Sequence, residues 1–293
     1  MFVSRTTFRG RRFGPAIIAV IGCACFAAPS LAQDGSIVAW GRNTSGQTDV
    51  PEPNSDFVAI AAGWTHSLGL KLDGSIVAWG WNGSGQTDVP EPNSDFVAIA
   101  GGYFHSMGLR EDGSIVAWGA GSCGQSGPHN SGQSCVPTPN SDFVAIAAGG
   151  WHSTGLKENG SIVAWGSNND NQTNVPELNN SDFVAIAVGQ WHSFGLKGDG
   201  SIVGWGYNWT GQIDVPEPNN DFVAIGTGGI YHSTALRADG SIEAWGRNDD
   251  GETDVPAPNS DFIAVSTGGY HSMGLKSTEP SATPGDLNGD GVV

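Results

Sequence analysis

One phrase recurs six times in this chain. DGSIVAWG stands at residues 34–41 and returns unchanged at 73–80 and 112–119. NGSIVAWG (159–166), DGSIVGWG (199–206) and DGSIEAWG (239–246) each differ from it by one letter. The starts lie 39, 39, 47, 40 and 40 residues apart. A fixed period of this length marks an array of similar structural units and excludes an irregular globule. A second phrase travels with the first: NSDFVAIAAGWTHSLGLK (54–71) recurs as NSDFVAIAGGYFHSMGLR (93–110) and onward.

Each unit reads as short strands. Residues 57–61 (FVAIA), 66–70 (HSLGL) and 75–79 (SIVAW) alternate small, branched and aromatic side chains, as strands do. Asp73-Gly74 before the third run is a tight-turn signal, because glycine tolerates positive φ. Residues 86–89 (QTDV) suggest a short fourth strand. Pro90 and Pro92 then end the ladder, since proline has no N–H to donate. The 45 glycines suit many turns and oppose long helices.

Small sheets in series form either a solenoid or a propeller. The two ends of the array are out of phase. The first copy begins at a third strand (36–40) with no HS-x-GL strand before it. The last ends at residues 271–275 with no SIVAWG strand after it. Pairing residues 36–40 with 270–275 would complete a sixth sheet from both ends and hide two edges.

The composite HS-x-GL-K-x-DGSIVAWG-x-N-x-x-GQT-x-VP resembles the repeat of the regulator-of-chromosome-condensation family. It is most similar to the short-repeat kind in secreted bacterial proteins such as the second type of β-lactamase inhibitory protein. The resemblance spans residues 34–276. It implies an all-β fold, a closed β-propeller whose terminal strands seal the ring. The copies count about six blades, whereas the family commonly has seven. The family's nuclear nucleotide-exchange role is not implied, because this chain is acidic and carries export features.

Those features lie at residues 1–32. Arg5, Arg9, Arg11 and Arg12 precede an apolar run at 15–28, and Ser30-Leu31-Ala32 suits cleavage. Secretion or display at the cell surface is expected. A lipid anchor on Cys23 is the alternative, since VIGC at 20–23 resembles an attachment box. The apolar run falls short of the ~20 residues of a membrane span, so none is expected in the mature chain. The whole chain has 12 basic and 29 acidic residues; without residues 1–32 the net charge goes from −17 to −21. Such a surface repels phosphate backbones, so nucleic acid is excluded as a partner. Cys123 and Cys135 both fall in the 47-residue unit, which carries about eight extra residues around 121–134. In an exported chain they are expected to form a disulfide that pins this loop.

Function is sought where the copies differ. The SIVAWG tryptophans (Trp40, Trp79, Trp118, Trp165, Trp205, Trp245) recur in every unit and are expected to pack between neighbours. The histidines of the HS pair recur too, once per unit. That spreads them around a ring, each bonding backbone in its own or the next unit, and gives no metal site, which needs several donors at one point. No catalytic constellation breaks the symmetry, so no enzyme activity and no propeller cofactor are expected. The connections are different. Between the first and second strands stand Trp64, Tyr103 with Phe104, Trp151, Trp191, Tyr231 and Tyr270; after the third stand Trp81, Tyr207 and Trp209. Up-and-down strands bring both connections to one end of the ring. An aromatic face results, suited to an extracellular protein or a glycan. A secreted carbohydrate-binding or carbohydrate-active protein and a purely structural surface array are the other readings. The protein is expected to be a monomer.

Residues 277–285 (STEPSATPG) read as a linker. In 286–293, Asp286, Asn288 and Asp290 with Gly291 match the opening of a calcium loop. This resembles the start of a dockerin module, which implies calcium and a cohesin-like partner. The later ligands of such a loop do not follow, so a truncated loop is expected.

Overall fold

The protein is described by a computed structural model, which covers residues 35–276 except 126, 128, 178, 179, 227 and 228. Among these, seventeen strands form six antiparallel sheets. The first sheet is β1 (Phe57–Ala62), β2 (His66–Lys71) and β3 (Ile76–Gly80). The second is β4 (Phe96–Gly101), β5 (His105–Arg110) and β6 (Ile115–Gly119). The third is β7 (Phe143–Ala148), β8 (His152–Lys157) and β9 (Ile162–Gly166). The fourth is β10 (Phe183–Val188), β11 (His192–Lys197) and β12 (Ile202–Gly206). The fifth is β13 (Phe222–Gly226), β14 (His232–Arg237) and β15 (Ile242–Gly246). The sixth has two strands, β16 (Phe262–Thr267) and β17 (Ser272–Lys276). The first strands of successive sheets touch one another, which places them innermost around a common axis. The arrangement is an all-β propeller of about six blades.

The expected fourth strand does not form. Gln86 and Thr87 lie in a turn instead. The loop satisfies its own donors: Ser84 N–H donates to Gln86 Oε1 at 2.9 Å and Thr87 N–H to Asn82 Oδ1 at 3.0 Å. With those groups spent, little is left for a fourth strand's ladder. Gln86 is fully buried, and its main chain serves the neighbouring sheet. Its carbonyl accepts two bonds, from Ser106 Oγ at 2.8 Å and from Trp118 Nε1 at 2.9 Å. The serine oxygen in turn lies 2.9 Å from His66 Nε2 of the preceding sheet.

This joint recurs along the array with all three bonds, except at Ser272, where only the histidine and the Glu252 carbonyl are engaged. His105, His152, His192 and His232 reach Ser153, Ser193, Ser233 and Ser272 in the same way. The expectation that histidines bond backbone is thus corrected: their partner is a hydroxyl in the next sheet. The serine proton goes to the carbonyl, so the histidine must donate from Nε2, leaving Nδ1 bare. Burial holds the rings neutral. It pushes His66 down to about 4, and His105, His152 and His192 to about 3, with neighbouring histidines adding to the effect for His105 and His192. The tryptophans at these joints (Trp79, Trp118, Trp165, Trp205, Trp245) are all buried, as their recurrence suggests.

The expected closure is not made. Residues 36–40 are not in a strand, and no hydrogen bond joins them to 270–275 among the described residues. Gly35 pairs with Phe57 and Ile37 is clasped by Asn54, so this segment is held by its own following sheet. Its outer side is open: Trp40 is 84% exposed. The facing edge, β17, is exposed along its whole length. Physically, a seam is made only when both edges arrive together, and the repeat pattern records each edge separately.

Candidate binding face

The connection between the first and second strand of each sheet turns on a glycine packed against the joint. A Cβ on Gly102 would sit 2.2 Å from the His105 ring and 2.7 Å from the Gly149 carbonyl, so no larger residue fits there. The connections also bond to one another around the axis. Trp64 N–H donates to Gly102 O, Gly150 N–H to Gln190 O and Gln190 N–H to Gly229 O. Residues just beyond these glycines are therefore held side by side.

All ten aromatics singled out in the sequence occupy this end. Trp64 stacks on Tyr103 with centroids 4.4 Å apart, and Tyr103 meets Phe104 at 6.2 Å. Phe104 also touches Trp81 and Trp151 at 5.6 and 5.1 Å. On the other side Trp191 contacts Tyr207 at 5.6 Å and Tyr231 at 5.9 Å, and Tyr207 contacts Trp209 at 6.4 Å. Tyr270 joins through Arg247, whose guanidinium lies 5.6 Å from the Tyr231 and Tyr270 rings alike. Two aromatic clusters result, facing each other across the axis. Trp64, Trp209 and Tyr270 are more than half exposed and the others half-buried.

Three further members of this end were not among the ten candidate residues. His129, in the extra loop, stacks 4.1 Å from Phe104 and 5.4 Å from Trp151. Only the loop's fold brings it there; Cys123 and Cys135 are bonded across its base, with Cα atoms 4.7 Å apart. Arg247 is anchored by Asp249 at 2.7 Å and lies 3.6 Å from Asp250. Gln190 stands at a position occupied by aromatic, aliphatic or glycine residues in other copies. Between the two clusters is a depression of about 260 Å³ to which all six sheets contribute. The Tyr103 hydroxyl is held above its usual range, first by burial and then by Tyr270 and Tyr231. The recurring acids have local partners: Asp88 accepts from Asn82 and Asp214 from Asn208. Among the described residues no three His, Cys, Asp or Glu side chains gather as a metal group. Asp286, Asn288 and Asp290 lie outside the described residues, as does the segment 1–32.

The family model described as the regulator of chromosome condensation (RCC1) repeat matches residues 57–86, 96–125, 143–172 and 183–212. Those four segments match the RCC1 repeat. Three of the matched segments run from a first strand to the buried glutamine of the joint (Gln86, Gln172, Gln212); the second ends at exposed Gln125, before the joint glutamine Gln133 that follows the extra loop. Solved RCC1 propellers share the fold. The structure of Kap60 bound to yeast RCC1 (Prp20) aligns with a TM-score of 0.62 at 22% identity, covering 77% of this chain and 68% of that one. Prp20p from Saccharomyces cerevisiae aligns with a TM-score of 0.63 at 22% identity, covering 78% and 71%. The ectodomain of the Physcomitrella patens receptor kinase CR4 aligns with a TM-score of 0.58 at 23% identity, covering 76% and 59%. No curated protein matches the chain in sequence.

Proposed function

We propose that this chain is an exported, non-catalytic RCC1-type propeller that binds another protein through its aromatic end. The observation that carries this reading is the pair of aromatic clusters. Ten rings crowd one end of the ring of sheets, several more than half exposed, in a chain whose surface is otherwise acidic. A contiguous aromatic patch of this kind marks an interaction site, and aromatic anchors dominate protein interfaces. Proteins of similar fold support the choice of a protein partner: Prp20p is described by its binding to Gsp1p and histones, and yeast RCC1 with Kap60 bound. Repetition favours recognition over catalysis, because chemistry needs unlike groups at one point. Export rests on the basic and apolar segments of residues 1–32, and the Cys123–Cys135 bond suits an oxidising compartment. On the same reading the tail residues Asp286, Asn288 and Asp290 open a calcium-dependent, dockerin-like anchor.

The test is capture from the native extracellular milieu with the wild-type protein, Trp151→Ala and Trp191→Ala. Each variant should weaken binding of the captured protein by about 2 kcal/mol or more, roughly thirtyfold, with an unchanged melting temperature. A partner held equally by all three would refute the face. Selective binding to a glycan array, lost in the same variants, would replace protein with carbohydrate.

A further inference from the structure

The depression between the clusters has a chemistry of its own. It is about 260 Å³, just under the ~300 Å³ where pockets for drug-sized molecules begin, and suits a single side chain. Its walls are Trp64 and Tyr103 on one side, Ile230 and Gln190 on the other, with glycine backbone at the base. Among the described residues no charged side chain lines it.

Most of the backbone donors at its base are already engaged, while the Trp64, Tyr103, Ser266 and Gln190 side chains keep polar atoms on its walls. The backbone N–H groups of Gly63, Gly102, Gly149 and Gly189 are spent on histidine carbonyls, and those of Trp64, Gly150 and Gln190 on neighbouring loops. The Thr267 hydroxyl is turned away to the Gly226 carbonyl. Among the described lining residues, Gln190 Oε1 is a buried acceptor with no hydrogen-bond partner. A buried acceptor without a donor is costly, so a ligand that brings a donor gains. The aromatic walls present their negative faces, which attract cations. The rim already holds one: Arg247 lies over Tyr231 and Tyr270. The net charge of −17 favours approach of a positive group.

We infer that this depression is a socket for a basic side chain, arginine above lysine, projecting from the bound partner. The guanidinium would lie against Trp64 and Tyr103 and donate to Gln190 Oε1. Arginine is preferred because its planar group both stacks and donates, and it is more weakly hydrated than an ammonium. The inference rests on the protein-binding reading for its biological setting, but its chemistry can be tested alone.

The probes are Nα-acetyl-arginine amide, Nα-acetyl-lysine amide and Nα-acetyl-citrulline amide, the last having the same shape without charge. Calorimetry on the intact protein should rank arginine first. Citrulline should bind about tenfold more weakly, the order expected for losing a desolvated cation over aromatic rings. Gln190→Leu and Trp64→Ala should each weaken the arginine probe about fivefold or more, the scale of a lost charged hydrogen bond or ring contact. Trp40→Ala, at the exposed seam and away from the face, should leave it unchanged. Equal binding of arginine and citrulline, no detectable binding, or indifference to both Gln190→Leu and Trp64→Ala would overturn the inference. None of these results bears on whether Trp151→Ala and Trp191→Ala lose the captured protein, so the two readings fail separately.

Discussion

The joints between successive sheets and the seam where the array begins and ends are written in the same residues, yet they differ in every contact. At the joints, tryptophans such as Trp165 and Trp245 are about 6% exposed; at the seam Trp40 is 84% exposed. His152 is fully buried against Ser193, whereas His271 is exposed. A Cβ on Gly246 would collide with Tyr231 O at 2.6 Å, but one on Gly41 would meet nothing within 4 Å. Trp245 packs edge-on to Phe194 at 5.9 Å, in a cluster with Ile202, Val215, Phe222 and Ile225. The residues one unit later, Thr234, Ile242, Val255, Phe262 and Val265, line an open groove of about 220 Å³. Each unit thus supplies half of a joint. The tryptophan is buried only where a neighbour supplies the other half.

Acid should separate the two regions most strongly. The folded protein keeps His66, His105, His152 and His192 neutral down to about 3 or 4, while an unfolded chain takes up protons near pH 6.5. The unfolded state therefore binds more protons below pH 6.5, and stability falls as pH falls. Going from pH 7 to pH 5 should cost on the order of 2 kcal/mol for each buried histidine. Urea titrations at several pH values should show this decline, with a smaller slope in His152→Gln; at pH 7 His152→Gln should also lower stability, while the exposed His271→Gln should leave it unchanged. Equal effects of the two substitutions would erase the distinction between joint and seam.

Truncating a tryptophan comes next in size. Trp165→Ala should cost about 3–5 kcal/mol, as a core truncation does. Trp40→Ala should stay within about 0.5 kcal/mol, as an exposed substitution does. Chemical denaturation of the pair decides it; a Trp40→Ala cost matching that of Trp165→Ala would mean the seam closes in solution.

The smallest contrast lies in the serines. Ser193→Ala removes the acceptor of a buried histidine N–H and the donor to Gln172 O at 3.1 Å, and should cost about 1–3 kcal/mol. Ser272→Ala removes the corresponding pair at the exposed β17 edge and should cost less than half as much. Thermal melts of both variants test this.

Much of the architecture was legible because repetition labels equivalent residues. The three strands, the Asp-Gly turns and the shared burial of the tryptophans follow from alternation and period. The aromatic end followed from counting connections on up-and-down strands. What stayed hidden depends on partners distant in sequence. Gln86 reads as a strand residue until its amide is seen folded back on Ser84, and its carbonyl engaged by Trp118. His129 has no periodic equivalent, so only the fold of its loop shows it against Phe104. The depression arises from backbone shared among six sheets and belongs to no single repeat. The seam would join the two ends of the array, and no local pattern reports whether such edges meet.

The histidine–serine bonds have a direction. Each sheet offers a donor to the one after it, from His66 to Ser106 and finally from His232 to Ser272. Because every junction uses the same grammar, the array is modular in length. A segment cut at matching points, such as 73–111, could be deleted or duplicated and the new neighbours would still find the same donor, hydroxyl and carbonyl. Gene-level loss or gain of a whole unit would then alter the angle between sheets and the width of the central opening, while leaving the chemistry of each remaining contact intact.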